Sequence, residues 1–108
     1  MLSRCVTVRV QPHREDLSKY SAYEVVSEDM PYVLKHRERG FFVSRLPELG
    51  LTGYGDTAEE ARQKIRKMFC STAKAKRTKE GNVGLESWLT RPGVTWQWSK
   101  GPEDELVY

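Results

Sequence analysis

Residues 40–69 read GFFVSRLPELGLTGYGDTAEEARQKIRKMF, and the changes of period within that stretch decide the fold. Phe42, Ser44 and Leu46 alternate with Phe41, Val43 and Arg45, the period of two that puts one row of side chains on each face of a strand. Pro47 has no N–H to give to a ladder, so the strand ends there or lies at an edge. Gly53 and Gly55 allow a sharp entry into the next element. Thr57 then stands where a hydroxyl can cap a helix, and Glu60, three residues on, completes a capping box. Glu59 and Glu60 also complement the positive end of the helix dipole, and Glu60 precedes Lys64 in the favourable order for an ion pair one turn on. Ala58, Ala61, Ile65, Met68, Phe69 and Thr72 form one apolar stripe of helical period. The spacing predicts a helix from about 58 to about 74.

Working outward, Tyr32 to Glu38 is a second alternating run, and Arg39-Gly40 makes a turn, so residues 32–46 read as a β-hairpin. Leu51 to Tyr54 reads as a short third strand. Near the N-terminus, Arg4 to Val10 is a strand with Val6, Val8 and Val10 on one face, ended by Pro12. His13 to Ser21 is polar and reads as a loop, and Ala22 to Ser27 as a further strand. Beyond the helix, Thr78 to Asn82 is a loop with Gly81 as breaker, and Val83 to Leu89 a short helix with Leu85, Trp88 and Leu89 on one side. Arg91-Pro92-Gly93 is a turn. Val94 to Trp98 alternates as a last strand with Val94, Trp96 and Trp98 on one face. The tail from Gly101 is acidic and expected to be loose. Nothing in the sequence says whether its Glu103, Asp104 and Glu105 fold back on the basic stretch.

The run Gly40, Phe42, Ser44, Leu46, Pro47, Glu48, Leu49, Gly55, Asp56, Thr57, Glu59, Glu60, Ala61 resembles the motif of the HicB family of antitoxins. That motif is a glycine, an aromatic-x-small-x-apolar strand, Pro-acidic-Leu, Gly-Asp-Thr and Glu-Glu-Ala. The resemblance implies an α+β fold: a small antiparallel-rich sheet packed on one main helix, β-β-β-α-β, a truncated RNase H-like sheet. It covers residues 32–98, giving a HicB-like domain at 32–100. Residues 1–31 form an N-terminal extension whose one or two strands pack on the same domain, and 101–108 an acidic tail. The chain departs from the family in its basic pI of 8.9, where such antitoxins are often acidic. No helix-turn-helix or ribbon-helix-helix pattern follows the sheet, so the expectation is a stand-alone domain without a DNA-binding module.

A chain of 108 residues with 38% hydrophobic and 31% charged residues suits one domain with a modest core. No apolar run reaches the roughly 18 residues that span a bilayer, and the start lacks a signal-peptide core, so the expected location is the cytoplasm and no membrane partner is expected. Cys5 and Cys70 lack metal-ligand spacing and read as free thiols. No metal or cofactor is expected. The net charge is only +3, but its placement is uneven: Arg62, Lys64, Arg66, Lys67, Lys74, Lys76, Arg77 and Lys79 follow one another with no acid among them. Such a run is a footprint for phosphates, with Lys64, Lys67, Lys74, Lys76 and Arg77 as the contacts, or a solvated helix face whose cations suit the C-terminal dipole end. The second reading is favoured. Trp96 and Trp98 either stack nucleotide bases or close the core or a dimer contact, and the latter is favoured.

Hydrolysis of phosphodiesters with metal ions needs several converging carboxylates. Glu38, Glu48 and Asp56 fall at a hairpin turn, after a proline and at a helix start, where they do not obviously converge. Asp56 reads as a backbone cap in a tight turn. His13 and His36 have no nucleophile placed beside them. The sequence therefore reads as a non-enzyme. Gly55, Asp56, Thr57 and Glu60 are a structural motif. By resemblance the partner is a small basic HicA-like mRNA-cleaving toxin, with Glu48, Trp96 and Trp98 as partner contacts and a homodimer as a further possibility. The alternatives are a small nucleic-acid binder using the 62–79 run, and an orphan adaptor that kept the fold.

Overall fold

A computed structural model describes residues 4–11, 16–29 and 31–107. Pro12, the expected end of the first strand, and His13 lie outside these residues. The elements are β1 (Arg4–Val10), β2 (Tyr23–Ser27), β3 (Tyr32–His36), β4 (Phe42–Leu46), β5 (Leu51–Gly55), the helix α1 (Ala58–Leu89), β6 (Val94–Lys100) and β7 (Glu105–Val107). The fold is α+β, with one main helix packed on antiparallel-rich sheets. The described residues form two sheets: an antiparallel β2-β3-β4-β5 meander, and β6-β1-β7, in which β1 pairs antiparallel with β6 and parallel with β7.

Register explains the small residues of the motif. Val33, Ser44 and Gly53 lie opposite one another in a row across the meander. A Cβ on Gly53 would sit 2.6 Å from the Ala61 carbonyl oxygen and 2.9 Å from the Lys64 Cβ. The helix backbone therefore rests directly on this row, and Ser44, in the middle of it, is wholly buried. Leu46 and Leu51, paired at the end of the same face, join Ile65 and Phe69 in the core. On the second sheet Val6, Val8 and Val10 meet the same core, with Leu106 of β7 beside Val8. Met68, counted in the predicted helical stripe, falls at its edge and is 38% exposed.

The helix runs past the predicted end near 74 to residue 80 and breaks at Gly81 alone, where φ is 71° and ψ −168°. Residues 82–89 return along the first arm. A straight helix would hold Phe69 and Trp88 about 28 Å apart, whereas their rings stack with centroids 6.0 Å apart. The predicted short helix with Leu85, Trp88 and Leu89 on one side is this returning arm, and all three are buried. The tip of the hairpin projects: Val83 is 75% exposed. This elongation raises the radius of gyration to 14.9 Å, against about 13 Å for a compact chain of this length.

The tail expected to be loose is ordered. Residues 105–107 form β7, and Asp104, 8% exposed at its side chain, accepts the Val6 N–H at 2.9 Å and a two-pronged contact from Arg77 at 2.9 and 3.3 Å. Arg66 donates to the Leu106 carbonyl at 3.0 Å. The Cys5 and Cys70 thiols, neither in a disulfide, donate to the Gly101 and Asp104 carbonyls. Burial pushes the Cys70 thiol pKa up; Glu103 and Asp104 add to this, while Arg66 opposes it.

Candidate protein-binding surfaces

The helix cap forms as its residues demand. Thr57 is extended and its hydroxyl accepts the Glu60 N–H at 3.1 Å. The Glu60 carboxylate reaches one residue beyond the usual box and accepts the Asp56 N–H at 2.8 Å. Asp56 thus contributes its main chain, not the side-chain cap expected of it. Its carboxylate stays exposed beside that of Glu60. Gly55 lies so close to the helix start that a Cβ there would meet Glu60 Cβ at 2.7 Å.

The strand pattern then builds an aromatic face. Since Val33, Ser44 and Gly53 face the helix, alternation turns Tyr23, His36, Phe41, Val43 and Tyr54 to the opposite side of the meander. His36 stacks on Phe41 at 5.0 Å, Tyr23 meets both edge-on at 5.1 and 6.2 Å, and Phe41 meets Tyr54 at 6.0 Å. Tyr20 continues the row against Tyr23 and lies under the Arg45 guanidinium. His36 is fixed by the turn, its Nδ1 accepting the Arg39 N–H at 3.0 Å. The row opens to solvent at Tyr54, 54% exposed, and Val25, 41% exposed. At the Tyr54 end a shallow cavity of about 350 Å³ is lined by Phe41, Tyr54, Gly55, Asp56, Glu60 and Lys64. The structural motif therefore supplies the acidic rim of the aromatic face. Sequence reading missed this surface; the signal was the second row of the hairpin, Phe41 with His36 and Tyr23, visible only once register is known.

The residues expected to bind a partner gather elsewhere. Glu48 sits in the 3₁₀ turn Pro47–Leu49 between β4 and β5, at the far end of the meander from Asp56. It lines a cavity of about 470 Å³ with Pro47, Arg91, Pro92 and Gly93, at the start of β6. Arg91 donates to its main-chain carbonyl at 3.3 Å, yet both of its carboxylate oxygens are buried without a hydrogen-bond partner. Trp96 and Trp98 lie on β6, partly buried, edge-to-face at 5.6 Å, with the Arg4 guanidinium over Trp98.

The basic run does not form one stripe. At about 100° per residue, Lys64, Lys67 and Lys74 share one exposed face, with Lys79 at its margin further along the helix. Lys76 points away from the first three, and Arg77 is held by Asp104. Arg62 donates to Ser27 Oγ at 2.9 Å. Among the described residues no three His, Cys, Asp or Glu side chains gather as a metal site requires, and no helix is long and apolar enough to cross a membrane. In comparison with known proteins, no protein-family model, no curated protein and no solved structure matches the chain.

Proposed function

We propose that this chain is a non-enzymatic protein-binding module of antitoxin type, whose partner is a small basic HicA-like mRNA-cleaving toxin. The observation that carries this reading is the open aromatic row ending in the acidic pair Asp56 and Glu60 beside Tyr54. Aromatic side chains give a contact large buried area at low entropic cost, and the two carboxylates of Asp56 and Glu60 against the one ammonium of Lys64 leave that end of the row acidic and favour a basic partner there. The family resemblance of residues 40–61 supplies the identity of the partner; within that stretch Phe41 and Tyr54 belong to the row and Asp56 and Glu60 to its rim, while Tyr20, Tyr23 and His36 come from outside it. Glu48, Trp96 and Trp98, at the other end of the molecule, fit a second protein contact. The nucleic-acid alternative keeps the ridge of Lys64, Lys67 and Lys74, which meets the aromatic row only where Lys64 lines the cavity beside Phe41 and Tyr54; an adaptor without a toxin would use the same aromatic face for another basic protein.

The test is co-expression with a HicA-like toxin from an adjacent reading frame. The expected result is restored growth, intact mRNA and a complex that Tyr54→Arg disrupts while the variant remains folded. Continued mRNA cleavage with the folded wild-type chain in excess would overturn the reading.

A further inference from the structure

The sheet edges are unequally protected. β7 spans three residues, β2 is irregular between Val25 and Ser27, and β5 carries Gly53 and Gly55 under the helix. β6 is seven residues long, pairs with β1 without a bulge from Arg4–Lys100 to Val10–Val94, and contains no proline. Such an edge is a template for another strand. Its outward groups can be identified. The Gln11 N–H donates to the Gly93 carbonyl at 2.8 Å, at the end of the same ladder. Antiparallel alternation then turns the main-chain groups of 95, 97 and 99 to β1, and those of Trp96, Trp98 and Lys100 to the free edge.

We infer that β6 pairs with β6 of a second copy, antiparallel about a two-fold axis at Gln97. In this register Trp96 lies opposite Trp98 of the second copy, with outward groups facing outward groups. The four indoles form one layer on the core side. Thr95 meets Ser99 and Gln97 meets Gln97 on the polar side. The result is a continuous six-stranded sheet. Pro92 and Pro102 flank the strand symmetrically about Gln97. A register centred on Trp96 sets Pro92 opposite Lys100, and one centred on Trp98 sets Pro102 opposite Val94. Each puts a residue without an N–H into the ladder, and the Gln97 register keeps both prolines outside it.

Charge agrees with the same register. Lys100 of the second copy lies opposite Val94, next to Gly93, where a Cβ would be 3.5 Å from Glu48 Cγ. A carboxylate buried without a donor is costly, and the protomer leaves Glu48 in that state. Turning into the cavity it lines brings Glu48 to the ammonium of the second copy, and the two-fold makes this pair twice. The surface is distinct from the aromatic face, so this inference stands apart from the identity of any toxin.

The experiment combines sedimentation equilibrium of the full chain with cysteine cross-linking. Gln97 is exposed, and at the axis its Cα would lie about 4.5 Å from its mate, within the range for a disulfide. Gln97→Cys should form a covalent dimer ~10-fold or more faster than Thr95→Cys, because association raises the effective thiol concentration. Lys100→Glu and Glu48→Lys should each shift the chain toward monomer, and the double exchange should restore the dimer. Tyr54→Arg should leave the dimer intact, which separates failure here from failure of the toxin reading. A monomer at every concentration, or equal cross-linking of the two cysteine variants, would overturn the inference.

Discussion

Replacing Gly81 by alanine distinguishes a helical hairpin from a continuous helix by the sign of its effect. The Gly81 backbone, at φ 71° and ψ −168°, lies in a region that only glycine occupies readily, at a cost of about 1–3 kcal/mol for other residues. A Cβ there would meet no atom within 4 Å, so backbone strain is the whole effect. In an unbroken helix the same change would stabilise by about 1 kcal/mol, because alanine is the better helix former. The hairpin is held by Phe69 on Trp88, with Leu85 and Leu89 in the core, so the turn cannot relax without exposing them. Taking a loss of about 2 kcal/mol and a urea slope of about 2 kcal/mol/M, the midpoint should fall by about 1 M. Urea titration followed by far-UV circular dichroism measures this. An unchanged or raised midpoint, with helix content retained, would refute the reversal at Gly81.

Gly53→Ala should cost about 1–3 kcal/mol, since its Cβ would press on helix backbone that has little room to yield; thermal melting reads it. Thr57→Ala should cost about 1 kcal/mol as a lost cap, and an identical melting curve would remove that assignment. Asp104→Ala strips acceptors from Arg77 and the Val6 N–H and should cost about 2–3 kcal/mol, whereas a loose tail would make the change silent. Because the Cys70 thiol is raised in the folded state, the folded protein holds its proton more tightly. Its contribution to stability is therefore complete below the unfolded thiol pKa of about 8.5 and lost as pH rises through the folded value. Cys70→Ser should flatten the fall of the urea midpoint above that pH, and an equal fall in both proteins would contradict the burial effect.

The local elements were legible because each rests on neighbours in sequence. Period-two runs, the Thr57 cap and the Gly81 break need no distant partner. The division into two sheets was not legible. It depends on β1 choosing β6 and β7 at the far end of the chain, and alternation in Val6, Val8 and Val10 names a buried face without naming a partner. The acidic tail looked loose because one Asp104–Arg77 pair and a three-residue strand carry little pattern. For the same reason Glu48, Trp96 and Trp98 were singled out by chemistry, while the approach of Glu48 to the start of the strand that carries both tryptophans appeared only in the fold. The aromatic row escaped because its members come from three strands whose register the sequence does not state.

On the proposed function, the chain holds a basic protein on the aromatic face that ends at Asp56 and Glu60. Affinity purification of the tagged protein from its native host at rising salt, beside its Tyr54→Arg variant, tests that most directly. A small basic toxin-like protein should be retained by the wild type through high salt and be absent from the variant. Recovery of nucleic acid alone, released steeply as salt rises and retained equally by both proteins, would contradict it.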